Sequence, residues 1–467
     1  MVDSAVIDIQ TSAANIINQI AIALRTGRIH STDNVAFTDI ADKLIVLINE
    51  QIDQGDNIIL QLRGDFFYFG DERVRYSPKH LLNFDYLSEE FKKIELGTII
   101  IKQKLSMEDI KVFVNSFIET NFLHESFEDL NEKITSISNI ELQKLKEIGT
   151  EGKSDVRRSV RKTYFNAVFY IKGVINKVKA GDEVNIKKAK RVITSIVNTI
   201  VDHEQTLLGM TTIKDHDEYT YFHSANVSIL SVSLGQHLGL NRKMLIDLGI
   251  AALFHDIGKT DVPNEILNKP TDLIDSEWRI MRKHPTWGVK SLLKLRDIDE
   301  LTIRSAFAAF EHHMNLDNSG YPRLKTPAEM DLFSKIVSVA DRYDAMTSAR
   351  VYTKTPMTAE KALSILMELS GQKLDSLIFK YFVNMMGIYP IGSLVKLDSN
   401  ELGLVFENNQ QSLSRPRVML ITDSKGTLIE GTVTDLTEMN DENKYARTIT
   451  KIMDPKKYGI NIAEYLL

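Results

Sequence analysis

Histidines are concentrated in one part of this chain, and this concentration constrains the fold more than any other feature. Six of the eleven histidines lie between residues 223 and 313, and five of them, all except His237, are in or beside a predicted helix together with two aspartates. Imidazole nitrogen together with carboxylate oxygen suits iron, manganese, zinc or nickel, whereas calcium and magnesium sites are built mainly from oxygen. We therefore expect a helical domain that gathers seven metal ligands: His223, His255, Asp256, His284, His312, His313 and Asp341.

The pair His255-Asp256 ends a strongly apolar segment that starts at Leu248. Burying two polar side chains without partners is costly, so a metal or a hydrogen-bond network must compensate them. Asp256 has two carboxylate oxygens and can bridge two cations. Gly258 predicts a tight exit from the helix, and Lys259 places a cation where it can contact a phosphate oxygen. A single histidine is more often a surface or core residue, so the joint pattern carries the prediction.

Five motifs resemble those of one known family, in the family's order and at similar spacings, between residues 219 and 352. They are Tyr219-Thr-Tyr-Phe-His223-Ser-Ala-Asn-Val, His255-Asp256-Ile-Gly-Lys259, Lys283-His284-Pro-Thr-Trp-Gly288, Glu311-His312-His313-Met-Asn-Leu-Asp317-Asn-Ser-Gly320-Tyr321-Pro322 and Val339-Ala-Asp341-Arg-Tyr-Asp344-Ala-Met-Thr-Ser-Ala-Arg350-Val-Tyr352. This set resembles the HD-GYP subfamily of the HD phosphohydrolase superfamily. Most characterised members of that subfamily are cyclic di-GMP phosphodiesterases.

The resemblance implies a dinuclear metal centre and a hydrolytic reaction. Two divalent ions, iron or manganese with other transition metals open, would lower the pKa of a shared water. The resulting hydroxide would hydrolyse cyclic di-GMP to pGpG, GMP or both. The implied ligands of the first metal are His223, His255, Asp256 and Asp341. The implied ligands of the second are Asp256, His284, His312 and His313.

The resemblance also implies roles for residues beside the metals. Asp256 and Lys259 are the expected catalytic residues. Lys259, Arg350 and Lys354 are expected to contact phosphate, and the loop Gly320-Tyr321-Pro322 to flank the substrate or dock a signalling protein.

Two of the ligand motifs depart from the family pattern. Some members carry a glutamate four residues before the first histidine, where it supports a third metal, but this chain has Tyr219. Glu218 is one residue away, about 100° around the helix, so we expect two metals. Met314 and Asn318 replace a glutamate and a glycine of the usual histidine-pair motif. Asparagine tolerates positive φ better than most residues, so we expect the turn to survive.

A third departure lies near the phosphate contacts, and it leaves three functions open. Thr353 occupies a position that is usually lysine or arginine, with Lys354 next to it, which weakens the expected phosphate contact. The first function is an active cyclic di-GMP phosphodiesterase. The second is a catalytically weak module that binds nucleotide or partner proteins in signalling. The third is a hydrolase of another nucleotide or phosphate ester, since metals recognise phosphate rather than base.

The remaining sequence predicts a mainly α protein with a helical HD-type catalytic domain at 207–390. An α+β accessory or regulatory region at 1–150, which could form a homodimer, precedes a helical linker or hairpin at 151–206. A small β-rich subdomain at 391–467 follows. In the first region, alternation of apolar and polar residues predicts one strand from Asn57 to Tyr68. The linker is strongly basic, which fits a phosphate-binding face or, more often, a solvated helix face.

Composition excludes several classes of protein. The chain has no cysteine, so it has no disulfides, thiolate metal sites or cysteine nucleophiles. A net charge of -6 gives no global attraction to nucleic acid or acidic membranes. No apolar run has the length of a membrane helix, and the first 28 residues predict an amphipathic helix rather than a signal peptide. We expect a cytoplasmic protein.

Overall fold

The fold comes from a computed structural model, which divides into two compact units, 1–156 and 157–467. The residues that it describes are 4–54, 57–64, 66–74, 80–123, 125–145, 153–182, 186–213, 219–295, 299–326, 328–348, 357–458, 460, 462 and 465. The predicted boundaries at residues 150, 206 and 390 remain predictions.

The first unit packs helices on an antiparallel sheet. Its helices are α1 (Ser4–Ile29), α2 (Val35–Asp53), α3 (Leu81–Lys93), α4 (Met107–Leu123) and α5 (Phe127–Lys133). Its strands are β1 (Ile58–Arg63), β2 (Phe66–Phe69), β3 (Glu72–Arg73), β4 (Leu96–Ile101) and β5 (Ile140–Lys144), in the order β3-β2-β1-β4-β5. Buried phenylalanines, including Phe67, Phe91 and Phe117, pack edge-on or tilted in the core between these layers.

The prediction of one strand from Asn57 to Tyr68 is wrong. Gly64 has a φ of 61°, which ends β1, and β2 then returns antiparallel with Arg63 opposite Phe66. Apolar and polar residues continue to alternate through both strands, so the sequence pattern does not reveal the turn between them. Only the glycine marks it.

The second unit begins with a long helical hairpin and continues with the helices that carry the candidate ligands. The hairpin consists of α6 (Lys153–Ala180), which starts a few residues before the unit boundary, and α7 (Ile186–Met210). The next helices are α8 (Tyr219–His237), α9 (Arg242–Leu253), a 3-10 helix (Ile257–Asp261), α10 (Asn264–Leu267), α11 (Asp275–Met281) and α12 (His284–Leu295). The last helices are α13 (Glu300–Glu311), α14 (Leu332–Thr347), α15 (Ala359–Leu369) and α16 (Ser376–Met386).

A second antiparallel sheet follows the helices. Its strands are β6 (Leu394–Leu397), β7 (Leu402–Glu407), β8 (Arg417–Thr422), β9 (Leu428–Asp435) and β10 (Ile449–Met453), in the order β10-β6-β7-β8-β9. Sequence patterns predict β6, β7 and β8 but miss β9 and β10. The mainly α class, with an α+β amino-terminal region and a small β region at the other end, is confirmed. Among the described residues, no helix is long and apolar enough to cross a bilayer.

Gly258 matters because another helix approaches it closely, and not because it ends α9 as predicted. It lies inside the 3-10 helix, where a Cβ atom would come within 2.0 Å of the His284 carbonyl oxygen and 2.3 Å of the Gly288 nitrogen. This absence of a side chain lets the 3-10 helix pack directly on α12. This close packing brings His255 and Asp256 towards His284.

Replacement of Gly258 by alanine should destabilise this packing. Because the nearest neighbours of the added Cβ are backbone atoms, α12 must shift, and we expect a loss of about 1–3 kcal/mol in the free energy of unfolding. The two tryptophans, Trp278 and Trp287, lie in α11 and α12. Denaturant unfolding followed by tryptophan fluorescence therefore measures this loss of stability. The control is Gly173→Ala in α6, where an added Cβ meets nothing within 4 Å. An equal loss in both variants would contradict the close-approach explanation.

An ion pair between α7 and α8 predicts a pH dependence of stability. His237 Nε2 lies 3.0 Å from Glu204 Oε1, and this hydrogen bond raises the pKa of His237 above its usual value. The pair therefore stabilises the fold below about pH 6.5, and the contribution disappears as the pH rises through the raised pKa.

The variant His237→Gln keeps a hydrogen-bond donor but cannot carry charge. We expect it to destabilise the protein by about 1 kcal/mol or less at about pH 5.5, and by less at about pH 9, as measured by denaturant unfolding. The control is Lys243→Gln, which removes the exposed ion pair with Glu300. We expect its effect on the free energy of unfolding to be the same at both pH values. A loss that is the same at both pH values would rule out the charged pair.

Candidate metal centre

The structure brings all seven predicted ligands together, at the ends or on the buried faces of five helical elements. His223 lies on α8 and Asp341 on α14. His255 and Asp256 follow the end of α9, His284 begins α12, and His312 and His313 follow the end of α13. All of these side chains are buried except that of His313, which is partly exposed.

The carboxylate of Asp256 faces two different sets of histidines. Its Oδ2 atom lies 3.5 Å from His223 Nε2 and 3.4 Å from His255 Nε2. Its Oδ1 atom lies 3.3 Å from His284 Nε2 and 3.7 Å from His312 Nε2. One carboxylate oxygen therefore serves each set, which is the arrangement that a bridging ligand requires.

Asp341 closes the other side of the cluster. Its Oδ1 atom lies 3.1 Å from His223 Nε2 and 3.8 Å from His255 Nε2, while Oδ2 lies 3.6 Å from His313 Nδ1. The family resemblance assigned Asp341 to the first metal alone. In the structure this carboxylate also approaches a histidine of the second set.

Backbone carbonyls fix the ring orientation of three histidines. Nδ1 of His255 donates to the Ala252 carbonyl at 2.7 Å, and Nδ1 of His284 donates to the Met281 carbonyl at 2.8 Å. Nδ1 of His312 donates to the Ala309 carbonyl at 3.0 Å. Because a carbonyl oxygen only accepts, each Nδ1 carries the proton, and each Nε2 presents a lone pair to the cluster in the neutral ring.

The buried polar atoms fit bound cations. Nε2 of His223, Nε2 of His255 and Oδ1 of Asp256 are buried and have no hydrogen-bond partner. Nε2 of His284 and Nε2 of His312 lie 3.3 Å apart although carbonyls hold the proton of each ring on Nδ1. Such an arrangement is costly without a positive charge between the acceptors. Two groups have ligand atoms within 4.8 Å of one another, Asp256-His284-His312-His313 and His223-His255-Asp256.

The electrostatics of the cluster keep its carboxylates ionised. Burial alone would raise the pKa of Asp256, but Lys259 and His255 outweigh it and hold this pKa well below its usual value. Burial likewise raises the pKa of Asp341, but the close approach of His223 and His255 outweighs it and holds this pKa well below its usual value. Both aspartates are therefore anionic acceptors at neutral pH.

Two histidine rings differ in their affinity for protons. Burial lowers the pKa of His284 to about 3, so this ring is neutral and ready to donate a lone pair. Burial would also lower the pKa of His255, but Asp256 and Asp341 outweigh it and raise this pKa to about 10. A cation that binds His255 therefore has to displace a proton.

A buried hydrogen-bond chain holds His223 from behind, and sequence reasoning missed it. His223 Nδ1 donates to Asp344 Oδ2 at 2.7 Å, and Asn226 Nδ2 donates to Asp344 Oδ1 at 2.9 Å. Tyr164 of α6 donates to Asn226 Oδ1 at 2.9 Å. Asp344 follows Asp341 by three residues on α14, so helical spacing was the one available signal that it faces the site.

The loop after His313 keeps its turn despite the substituted motif. Asn318 has a φ of 61°, as its tolerance of this region predicts. Gly320 has a φ of 89°, and a Cβ there would lie 2.4 Å from the His313 carbonyl oxygen. Arg342 of α14 donates to Asn315 Oδ1 at 2.6 Å and to the Met314 carbonyl at 3.2 Å. This cation anchors the base of the loop.

The loop also places an aromatic ring beside the cluster. Tyr321 packs on His313 with ring centroids 4.7 Å apart, and the guanidinium of Arg282 lies 5.7 Å from the Tyr321 ring. Pro322 follows Tyr321 and lies on the partly exposed side of the loop. The predicted phosphate contacts Arg350 and Lys354, and the departure at Thr353, fall outside the described residues.

Two further predicted positions lie at the cluster. Lys259 Nζ donates to Asp256 Oδ2 at 2.5 Å, and its side chain is 17% exposed. Lys259 therefore links the buried carboxylate of Asp256 to the solvent-accessible side of the cluster. Tyr219, at the position of the glutamate found in some family members, stacks on the ring of His223 with centroids 5.3 Å apart.

Comparison with known proteins finds similarity in the segment that carries this site. Residues 196–378 match the family model described as HD domain. A cyclic di-GMP phosphodiesterase of Pseudomonas aeruginosa is 36% identical over 247 residues, which cover 53% of this chain and 58% of that relative. A 3'3'-cGAMP-specific phosphodiesterase of Vibrio cholerae is 37% identical over 36% of this chain and 38% of that relative. A cyclic di-GMP phosphodiesterase of Borreliella burgdorferi is 26% identical over 50% of this chain and 59% of that relative.

The match and the site define an HD-type domain whose clustered histidines and aspartates could hold metal ions. Within this domain, the motifs between residues 219 and 352 resemble those of the HD-GYP subfamily. The chain spans less than two thirds of the length of these three relatives. The solved structure of Bd1817, an HDG"Y"P protein from Bdellovibrio bacteriovorus, aligns with 70% of this chain and 98% of that one, with a TM-score of 0.42 and 19% identity.

Replacement of Asp344 by asparagine should weaken metal binding without removing a ligand. The amide keeps the shape of the side chain but loses the negative charge that orients His223. We expect metal affinity to fall by about 10–100-fold, measured by metal analysis after equilibrium dialysis. The control is Asp375→Asn, which alters the amino-terminal cap of α16. Unchanged metal affinity in Asp344→Asn would show that this carboxylate does not support the site.

Proposed function

We propose that the protein hydrolyses a phosphodiester bond of a cyclic dinucleotide, with cyclic di-GMP as the first candidate and pGpG or GMP as products. The observation that carries this proposal is the carboxylate of Asp256, whose two oxygens face two separate histidine sets in a buried cluster. The names of the relatives support the substrate class, because they include cyclic di-GMP and 3'3'-cGAMP phosphodiesterases.

The residues of the cluster would hold two divalent ions, for which we propose iron or manganese. His223, His255, Asp256 and Asp341 would hold one, and Asp256, His284, His312 and His313 the other. Bound ions of this kind supply Lewis acidity toward phosphoryl oxygens and activate water at neutral pH. The nitrogen-rich donor set fits transition metals better than calcium or magnesium.

The chain itself supplies orientation and charge. Carbonyls that accept from Nδ1 of His255, His284 and His312 prevent these rings from turning, so their lone pairs stay aimed at the cluster. Lys259 bonds to Asp256 while part of its side chain is accessible, so its ammonium group can contact a phosphoryl oxygen and stabilise the departing ribose oxygen. Tyr321 forms an aromatic surface next to His313, suited to the sugar or base of the substrate.

The contacts at two departures from the family motif, Met314 and Asn318, support this arrangement. Met314 is buried, and its carbonyl accepts from Arg342. The turn at Asn318 retains positive φ, so Gly320 and Tyr321 stay beside His313. These contacts favour a working hydrolase over a catalytically weak binding module. A homodimer and a signalling partner at the Gly320–Pro322 loop remain proposals.

The proposal is tested by turnover of the metal-loaded protein. Anaerobically purified protein, loaded with iron or manganese, would be given cyclic di-GMP, 3'3'-cGAMP and a simple aryl phosphodiester, with products separated by chromatography. We expect pGpG or GMP from cyclic di-GMP. Tight dinucleotide binding without product under both metals would instead support the binding module. Cleavage of the aryl diester alone would support a hydrolase of another phosphate ester.

Replacement of Lys259 by alanine separates its role from that of the metal ligands. We expect kcat to fall by about 10²–10³-fold with metal content retained, because the variant loses a charge that stabilises the transition state. Lys269→Ala is the matched control, since Lys269 forms an ion pair with Glu277 outside the cluster. If Lys259→Ala lost metal and activity in equal proportion, Lys259 would be a structural residue.

A further inference from the structure

A second cavity in the same unit contains none of the seven candidate ligands. Its volume is about 560 Å³, and α6 and α7 form its walls. This volume falls within the range of small-molecule sites, roughly 300–1,000 Å³. The basic stretch of the sequence, for which a phosphate-binding face and a solvated face were both open, supplies part of the lining.

Three cations line one wall of this cavity. Lys187, Lys188 and Arg191 lie in the first two turns of α7, with Arg191 four residues after Lys187 and three after Lys188. Side chains at these separations share a helix face, so their charges repel one another. Lys187 and Arg191 form no ion pair with any acidic side chain in the described ranges. The positive end of the α7 dipole adds to the same potential, so the wall favours an anion.

The wall formed by α6 carries two aromatic side chains next to Thr163 and Asn166. Phe169 is partly buried and Tyr170 is buried, and both line the cavity opposite the cations. Aromatic faces of this kind accept a flat heterocycle, while lysine and arginine accept phosphate. The cavity therefore has aromatic side chains on one side and cations on the other. These match a ligand that contains both a flat heterocycle and a phosphate.

We propose that the cavity between α6 and α7 binds a nucleoside phosphate. Lys187 and Arg191 would hold the phosphate, with Lys188 beside them, and Phe169 and Tyr170 would contact the base.

The α6 wall adjoins the start of a hydrogen-bond chain that leads to the metal centre. Thr163 lines the cavity, and its hydroxyl contacts those of Ser195 and Thr199 on α7 at 3.3 and 3.2 Å. The next residue, Tyr164, is fully buried and begins the chain that runs through Asn226 and Asp344 to the candidate ligand His223. A ligand that changes the packing of α6 against α7 therefore acts on the orientation of His223. This regulatory role rests on the proposed function, whereas the binding site does not.

Titration calorimetry on the full chain tests the binding site, with GMP, guanosine and inorganic phosphate as probes. The charge-reversed variant Lys187→Glu/Arg191→Glu is compared with Lys177→Glu/Lys190→Glu, which changes as many exposed charges on α6 and α7 outside the cavity lining. We expect GMP to bind the wild type and the control alike, and the cavity variant at least about tenfold more weakly. Guanosine and phosphate should each bind more weakly than GMP.

Two binding results would overturn the proposal. GMP affinity that is equal in the two double variants would show that these cations do not form the site. Inorganic phosphate that binds as tightly as GMP would show that the aromatic wall contributes nothing. Because all four substituted residues are exposed, we expect both variants to fold, which thermal unfolding checks directly.

The regulatory link is tested by turnover at saturating cyclic dinucleotide. We expect GMP to change kcat in the wild type and in the control variant, and to leave it unchanged in the cavity variant. An equal effect in both double variants would mean product inhibition at the metal centre and would overturn the link. An absence of turnover in every protein would contradict the proposed function, while the calorimetry would still decide the binding site.

Discussion

The structure around the candidate metal centre depends on one carboxylate group, that of Asp256, held inside the protein between two sets of imidazoles. Burial disfavours the ionised form of this carboxylate, but the nearby charges of Lys259 and His255 favour it more strongly. Because each oxygen faces a different histidine set, the surrounding helices must converge on it from several directions. The direct packing of the 3-10 helix on α12, which Gly258 permits, is one condition for this convergence.

The ligands lie mostly where helices begin or end, and this placement gives each ring a fixed partner. The last carbonyls of a helix have no amide within the helix to accept from. His255 and His312 use such carbonyls at the ends of α9 and α13, and His284 uses one at the end of α11. Backbone groups that would otherwise need water thus set the tautomer of the ring. The carbonyls at the ends of these helices are therefore also the groups that orient the histidine ligands.

The helical hairpin is part of the support for the metal centre as well as a connection between regions. Tyr164 reaches His223 through Asn226 and Asp344, all buried and all hydrogen-bonded. A buried network of this kind is stable only when every member is satisfied, so a change in the packing of α6 has consequences at the ligand. The cavity beside Thr163 therefore adjoins Tyr164, the residue at which this path to the site begins.

The sequence by itself determined the ligand types, the elements that carry them and the positive φ at Asn318, because donor chemistry, helical periodicity and backbone sterics are local properties. It could not determine the role of Asp344 or the reason for Gly258, since each depends on which distant atoms come within a few ångströms. The break between β1 and β2 was also hidden, because alternation continues through both strands. Only the tertiary structure decided which carboxylate oxygen faces which histidine and that a cavity separates α6 from α7, because packing sets both.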